Sequence, residues 1–251
     1  MEKNLIDNLN PQDAFKAGLL SSLALAFVLG FFILLGFLVN NEKDSVTNTK
    51  DSNNDTPKVI APSPTTGAKD INIKGLSDED WVKGERNAAI SIIEFSDTEC
   101  PFCLRFHSTM NQVVTAYPGE VNWVYRHFPL TALHSKAVRE AEATECAGEQ
   151  GGNDTFWAYL DRLFEITPAN NRLEDSQLTD IAEYVNLNIN QFQECLNSGQ
   201  YNDKVKYHMA QGEAAGVRGT PFSVIIKGEQ KIPIPGALPF EQVKTLLGPL
   251  L

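Results

Sequence analysis

Two cysteines separated by two residues, Cys100-Pro101-Phe102-Cys103, are the residues of this chain best placed to do chemistry. Thiols at that spacing close a small disulfide or meet as a dithiol. The four residues fall where an apolar, β-rich run from Ala89 to Phe95 gives way to a stretch of helical character from Cys103 to Ala116. At a helix N-terminus, unpaired N–H groups and the helix dipole stabilise a thiolate. A free thiol of pKa about 8.5 is only a few per cent ionised at neutral pH, so that stabilisation enlarges the reactive fraction. Cys100 lies on the N-terminal side, where more exposure is expected, and is assigned as nucleophile. Cys103, about one turn in, is assigned as the resolving thiol. Pro101 suits the first helical position because its missing N–H is not needed there. Half of a four-cysteine zinc site is the other use of such a pair. The remaining cysteines, Cys146 and Cys195, form no second pair of that spacing.

The elements that must carry these residues alternate in type. The run Ala89–Phe95 is continuously apolar apart from Ser91 and Glu94, as expected of a central strand covered on both faces. Tyr117-Pro118-Gly119 ends the following helix, and Val121–Tyr125 reads as a second strand. A strand, a crossover helix and a strand make a βαβ unit with parallel pairing. Helical stretches follow at Ser135–Glu149, Thr155–Phe164, Ser176–Val185, Asn190–Leu196 and Asp203–Ala215, an insertion over about 132–216. Phe222–Lys227 and Gln230–Ile234 read as a hairpin around Gly228-Glu229, and Pro239–Leu247 as a closing helix. The expected fold class is α/β: βαβ, a helical insertion, then ββα.

Four segments carry a family resemblance. Glu94-Phe95-Ser96-Asp97 followed by Cys100-Pro101-Phe102-Cys103, Arg126-His127-Phe128-Pro129-Leu130 after the second strand, Phe156-Trp157 in the insertion, and Gly219-Thr220-Pro221-Phe222 before the hairpin resemble the DsbA-like branch of the thioredoxin superfamily. The likeness covers roughly residues 76 to 247. It implies a thioredoxin-like fold and thiol–disulfide exchange. It implies that Thr220 and Pro221 form a cis-proline loop against the cysteines and, with Pro101 and Phe102, meet the substrate. It also implies that Glu94, six positions before Cys100, is a buried carboxyl group near Cys103. Burial raises a carboxyl pKa, so Glu94 is assigned as a proton relay in exchange. A solvent-facing Glu94 and a trans proline starting a strand are the structural alternatives.

The N-terminal part has a different character. Residues 17–39 run 23 positions without a charge, enough for a helix across about 30 Å of hydrocarbon. The expected organisation is a cytoplasmic head (1–16), a single transmembrane anchor (17–39), a flexible linker (40–69) rich in Asn, Thr, Asp, Ser and Pro, and a catalytic domain (70–251) outside the cytosol. The net charge of −11, from 32 acidic and 21 basic residues, opposes binding to phosphate backbones, so no nucleic-acid partner is expected. The expected partners are unfolded or cysteine-containing extracytoplasmic proteins and a quinone-linked membrane redox protein that reoxidises the site. The chain is expected to be monomeric, and its redox group to be the Cys100–Cys103 disulfide itself, with no other cofactor and no metal.

Four cysteines allow three pairings. With Cys100 and Cys103 paired by proximity, Cys146 and Cys195 remain for a structural disulfide, or as two buried free thiols. Asp97 and Glu99 lie close to Cys100 in sequence and are expected to weaken its thiolate. The four histidines show no ligand pattern. The sequon Asn153-Asp154-Thr155 is discounted as a chance match, as is Asn54-Asp55-Thr56. The leading reading is a disulfide-forming oxidase. The alternatives are a reductase or isomerase of the same chemistry, and a non-catalytic tethered chaperone or a copper-binding module using the two thiolates. Removal of residues 1–40 is expected to leave a soluble, folded domain, which gel filtration and circular dichroism check.

Overall fold

The computed structural model describes residues 71–251. The expected head, anchor and linker lie outside the described residues, among which no helix is long and apolar enough to cross a membrane. A five-stranded sheet has the order β1-β3-β2-β4-β5, with β1 Val82–Lys83, β2 Ile90–Ser96, β3 Val121–His127, β4 Phe222–Lys227 and β5 Gln230–Pro235. Only β2 and β3 run parallel, joined through helix α1, Pro101–Ala116. The other neighbours are antiparallel. β2 is the middle strand, and all but Ser91 of its seven residues are buried. This is why its sequence is a nearly unbroken apolar run rather than an alternating one. The result is a mixed α/β thioredoxin-like fold with a helical insertion.

The strand pleat divides the core in two. Ile90, Ile92, Trp123, Tyr125 and Ile225 face one side and pack on Phe106, Met110 and Val113 of α1 and on Val243 and Leu247 of the closing helix α6, Phe240–Leu247. Ile93, Phe95, Val124 and Val224 face the other side, with Ile73 and Phe128. Ala215, at the end of helix α5 (Asn202–Ala215), packs there too.

The insertion has its own core. Helical segment α2, Ala137–Ile166, is two helices that meet at Gly152, whose φ of 78° is non-helical and suits a residue without Cβ, in keeping with the two helical stretches expected. Tyr159 and Leu163 of α2 pack on Leu178 and Ile181 of α3 (Asp175–Tyr184) and on Phe192 of α4 (Ile189–Ser198). Phe156 and Trp157 instead enter the main core, so α2 belongs to both.

Strand β1 was not expected: two residues carry no periodic signal. It is held by pairing with β3 and by Asn153, whose side chain accepts from the Val82 N–H and donates to the Val82 carbonyl, both at 2.8 Å. The amide of the second sequon is thus engaged in a bidentate backbone contact. A buried ion pair fixes the approach to β1. Arg126 donates to both Asp80 carboxylate oxygens (Nε 3.1 Å, Nη2 2.8 Å) and to the carbonyls of Lys74 and Gly75. The guanidinium beside Asp80 holds that carboxyl below its ordinary pKa against the opposing effect of burial. Asp80→Ala leaves a buried guanidinium uncompensated and is expected to cost about 3–5 kcal/mol, read from urea unfolding midpoints.

Candidate functional site

Cys100 sits at the junction of β2 and α1. It has extended backbone geometry (φ −82°, ψ 121°) as the cap residue of α1, and Pro101 occupies the first turn. Both thiols are free. Cys100 keeps 4% of its surface exposed, whereas Cys103 keeps none. The Cys100 thiol points at the Thr220 carbonyl, 3.5 Å away, and the Thr220–Pro221 peptide is cis. Cys103 Sγ accepts from the Asp97 N–H at 3.5 Å. Phe102 projects outward, 55% exposed, under the Arg105 guanidinium at 5.2 Å. The structure therefore brings Cys100, Pro101, Phe102, Cys103, Thr220 and Pro221 to one edge of the domain, with Glu94 beneath.

The two thiols are treated oppositely. Cys100 is brought down to about 6, chiefly by hydrogen bonding to Cys103, against burial, and with help from the Cys103 N–H, the Thr220 side chain and the Phe102 N–H. Burial pushes Cys103 well above the ordinary thiol range, and the neighbouring Cys100 and Glu94 charges add to this. Asp97 and Glu99, expected to weaken the Cys100 thiolate, are not among the leading influences on it, and their carboxylates are hydrogen-bonded to other groups. Asp97 accepts from the Glu99 and Leu130 N–H groups at 2.9 and 2.7 Å and pairs with His134 at 2.8 Å. Glu99 accepts from the Asn171 N–H through its side chain and from the Asn170 N–H through its carbonyl.

Glu94 is fully buried, and burial pushes it up to about 8. In register it lies between Tyr125 on β3 and Ser223 on β4. Tyr125, Ser223 and Ser96 carry no chemical signature in the sequence. Strand pairing makes Tyr125 and Ser223 neighbours of Glu94, and Ser96 follows on the same face of β2.

Away from the cysteines, three residues from distant segments converge. His127 meets Glu145 at 3.0 Å, and His208 Nδ1 accepts from the His127 N–H at 3.3 Å. Their ligand atoms lie within 4.8 Å of one another, a meeting of distant segments that sequence spacing did not reveal. Glu145 already accepts from Lys204 at 2.7 Å and from the Trp81 indole at 2.8 Å. Burial opposes its charge, but the hydrogen bond and charge of His127, and after them those of Lys204, outweigh it and hold Glu145 at about 2. The cluster reads as a satisfied polar network, its carboxylate already neutralised by a lysine. His107, the histidine of α1, is buried against Trp123 and Phe164 and pairs with Asp161 at 2.7 Å. Cys146 of α2 and Cys195 of α4 are joined by a disulfide across 49 positions. Closing a loop of that length stabilises the fold by roughly 4 kcal/mol in the chain-entropy model.

A cysteine pair at a strand–helix junction facing a cis-proline loop defines a thioredoxin-like site. The chain belongs to the thioredoxin family: the family model described as Thioredoxin matches residues 76–247. Among solved structures, Pseudomonas aeruginosa DsbA2 superposes with a TM-score of 0.59 at 25% identity, covering 71% of this chain and 97% of that one. A thioredoxin-like oxidoreductase from Silicibacter pomeroyi gives 0.60 at 24% identity, covering 69% and 93%. Among sequence relatives, Na(+)/H(+) antiporter NhaA 3 of Salinispora tropica is 31% identical over 155 residues. That match spans 62% of this chain but 23% of the antiporter, so the likeness is to a minor part of that protein.

The alkylation rate of reduced Cys100 by iodoacetamide is expected to rise with pH with a midpoint near 6, with Cys103 far slower at every pH from 5 to 9. Mass spectrometry of quenched time points checks this.

Proposed function

We propose that this protein is a thiol–disulfide oxidoreductase that forms disulfides in cysteine-containing proteins outside the cytosol. The observation that carries the reading is the opposed setting of the two thiols, one at the rim of the α1 N-terminus against Thr220, the other sealed behind it. A stabilised Cys100 thiolate favours the reduced form of the site, and so favours donation of its disulfide. That supports oxidase action over reductase action.

In this reading Cys100–Cys103 is the redox group. A substrate thiolate attacks Cys100 Sγ, the Cys100–Cys103 bond breaks, and its electron pair passes to Cys103. The second substrate thiolate then attacks the substrate sulfur of the mixed disulfide and expels Cys100 as thiolate. The substrate dithiol is oxidised and the enzyme pair reduced. The thiolate formed at Cys103 lies in a setting that disfavours charge and takes a proton, for which Glu94, buried and held protonated near neutral pH, is the donor. The exposed Phe102 and the Thr220–Pro221 loop flank the place where the substrate sulfur must arrive, and serve as its docking surface. The Cys146–Cys195 bridge supports an oxidising compartment. There the 17–39 segment anchors the domain, the chain works as a monomer, and a quinone-linked membrane partner returns the site to the disulfide.

The test is oxidation of a dithiol peptide by the oxidised protein, beside insulin reduction. Cys100→Ser is expected to abolish both. With the site reduced and a disulfide-bonded substrate supplied, Cys103→Ala is expected to accumulate mixed disulfides through Cys100, seen on non-reducing gels. Full exchange by the Cys100→Ser variant would overturn the reading.

A further inference from the structure

Two arginines stand on the segments that carry the exchange site, and they are the two that the fold leaves without a partner. Arg105 lies on α1 two residues after Cys103, and Arg218 lies two residues before Thr220. Among the described residues, every other lysine and arginine is engaged by a carboxylate, a carbonyl or a hydroxyl. Arg105 and Arg218 have neither a hydrogen bond nor an ion pair there, and both side chains are exposed. Guanidinium groups not used to hold the fold together are available to a ligand.

Their placement is specific. The Arg105 guanidinium sits over the ring of Phe102 at 5.2 Å, and Phe102, inside the cysteine motif, is itself largely exposed. The N–H donors of a guanidinium lie in its plane, so attraction to the ring face positions the group without using them. Arg218 belongs to the link between α5 and β4. Two residues of chain, at most about 7 Å, separate it from Thr220, whose carbonyl lies 3.5 Å from Cys100 Sγ. No Asp or Glu occurs in α1 or in the link from Gly216 to Pro221. The acids just before Cys100, Asp97 and Glu99, are buried and hydrogen-bonded to other groups. The two segments that flank the nucleophile therefore expose positive charge alone, on a chain whose net charge is −11.

We propose that Arg105 and Arg218 select the substrate by binding an Asp or Glu side chain next to its reacting cysteine, so that the preferred partners are acidic cysteine-containing segments. The inference rests on the reading of Cys100 and Cys103 as the exchanging pair and names the substrate class of that site. A substrate sulfur must reach Cys100 between Phe102 and the Thr220–Pro221 loop, and the side chains beside that sulfur then lie over the segments that carry the two arginines. A carboxylate matches the guanidinium fork, which can donate two parallel hydrogen bonds to it. A carboxylate beside a cysteine also opposes formation of the substrate thiolate, and a guanidinium at that point offsets the repulsion. The arginines make and break no bond in the exchange. At long range the acidic protein repels an anionic segment and attracts a cationic one, so a preference for acidic substrates has its source in the local rim.

The test compares dithiol peptides that differ only in the residue beside the reacting cysteine: Asp, Asn or Lys. Second-order rates of oxidation by the oxidised protein are normalised to each peptide's thiolate fraction. The native protein is expected to oxidise the Asp peptide about two- to fivefold faster than the Asn peptide, with the Lys peptide slowest. The differences are expected to shrink in about 0.5 M salt, where exposed charges are screened. Replacing both arginines with Gln is expected to remove the preference for Asp, and Arg105→Glu with Arg218→Glu to turn it towards Lys. Arg105→Lys with Arg218→Lys, which keeps both charges, is expected to retain it. The readout is a ratio between peptides on one and the same variant, so a general loss of stability or activity does not imitate it. If the native protein oxidises all three peptides at equal normalised rates, or if the Gln pair keeps the native ratios, selection by the arginines is overturned while the exchange reading stands. Unchanged ratios in the Gln pair together with loss of its binding to phosphatidylglycerol vesicles would assign the rim to a lipid surface instead. If no peptide is oxidised, the exchange reading itself fails.

Discussion

The junction between β2 and α1 sets two identical thiols in different electrostatic worlds, and the rest of the domain serves to hold that junction. The change from strand to helix leaves Cys100 at the cap, where the first N–H groups of α1 and the Cys103 thiol are available to an anion. The following turn carries Cys103 inward, onto the face of β2 that also holds Glu94. Desolvation there penalises a charge on either group. One thiol is therefore poised to be an anion near neutral pH and the other to refuse it. That difference in environment, about three residues wide, is the chemical capacity of the molecule.

Holding so abrupt a gradient demands rigidity on every side. β2 pairs along both edges, with β3 and β4, and the Thr220–Pro221 loop leading into β4 brings a carbonyl against Cys100. Asp97 is spent tying the strand–helix loop to Leu130 and His134, and Glu99 ties it to Asn170 and Asn171. The acids next to Cys100 thus act as structural clamps on the strand–helix loop. The insertion contributes in the same way. α2 lays Phe156 and Trp157 into the main core, and its Glu145 gathers His127, Trp81 and Lys204 into one network. The Cys146–Cys195 bridge then binds α2 to α4.

Much of this was legible in the chain itself. Order and type of elements followed from apolar runs and turn residues, and element ends agreed within a few residues. The break expected between the two helical stretches of α2 falls at Gly152, whose positive φ interrupts the helix. The two-residue strand β1 was invisible because it is made by Asn153 and β3 rather than by its own pattern. The effect of Asp97 and Glu99 on Cys100 was misjudged because proximity in sequence says nothing of where a carboxylate finds its donors.

The family resemblance implied the proline loop that faces the cysteines; the chain by itself determined the cysteine pair, its place at a helix start, and the ionisable residue inside an apolar strand. These rest on local rules: spacing of two, a helix terminus, an alternation of element types. Only the tertiary structure decided how the two thiols differ, which acids are bonded elsewhere, that Tyr125 and Ser223 flank Glu94, and that His127, Glu145 and His208 meet in one network. Burial and strand register create those relations, and both are properties of the packed sheet that no single segment carries.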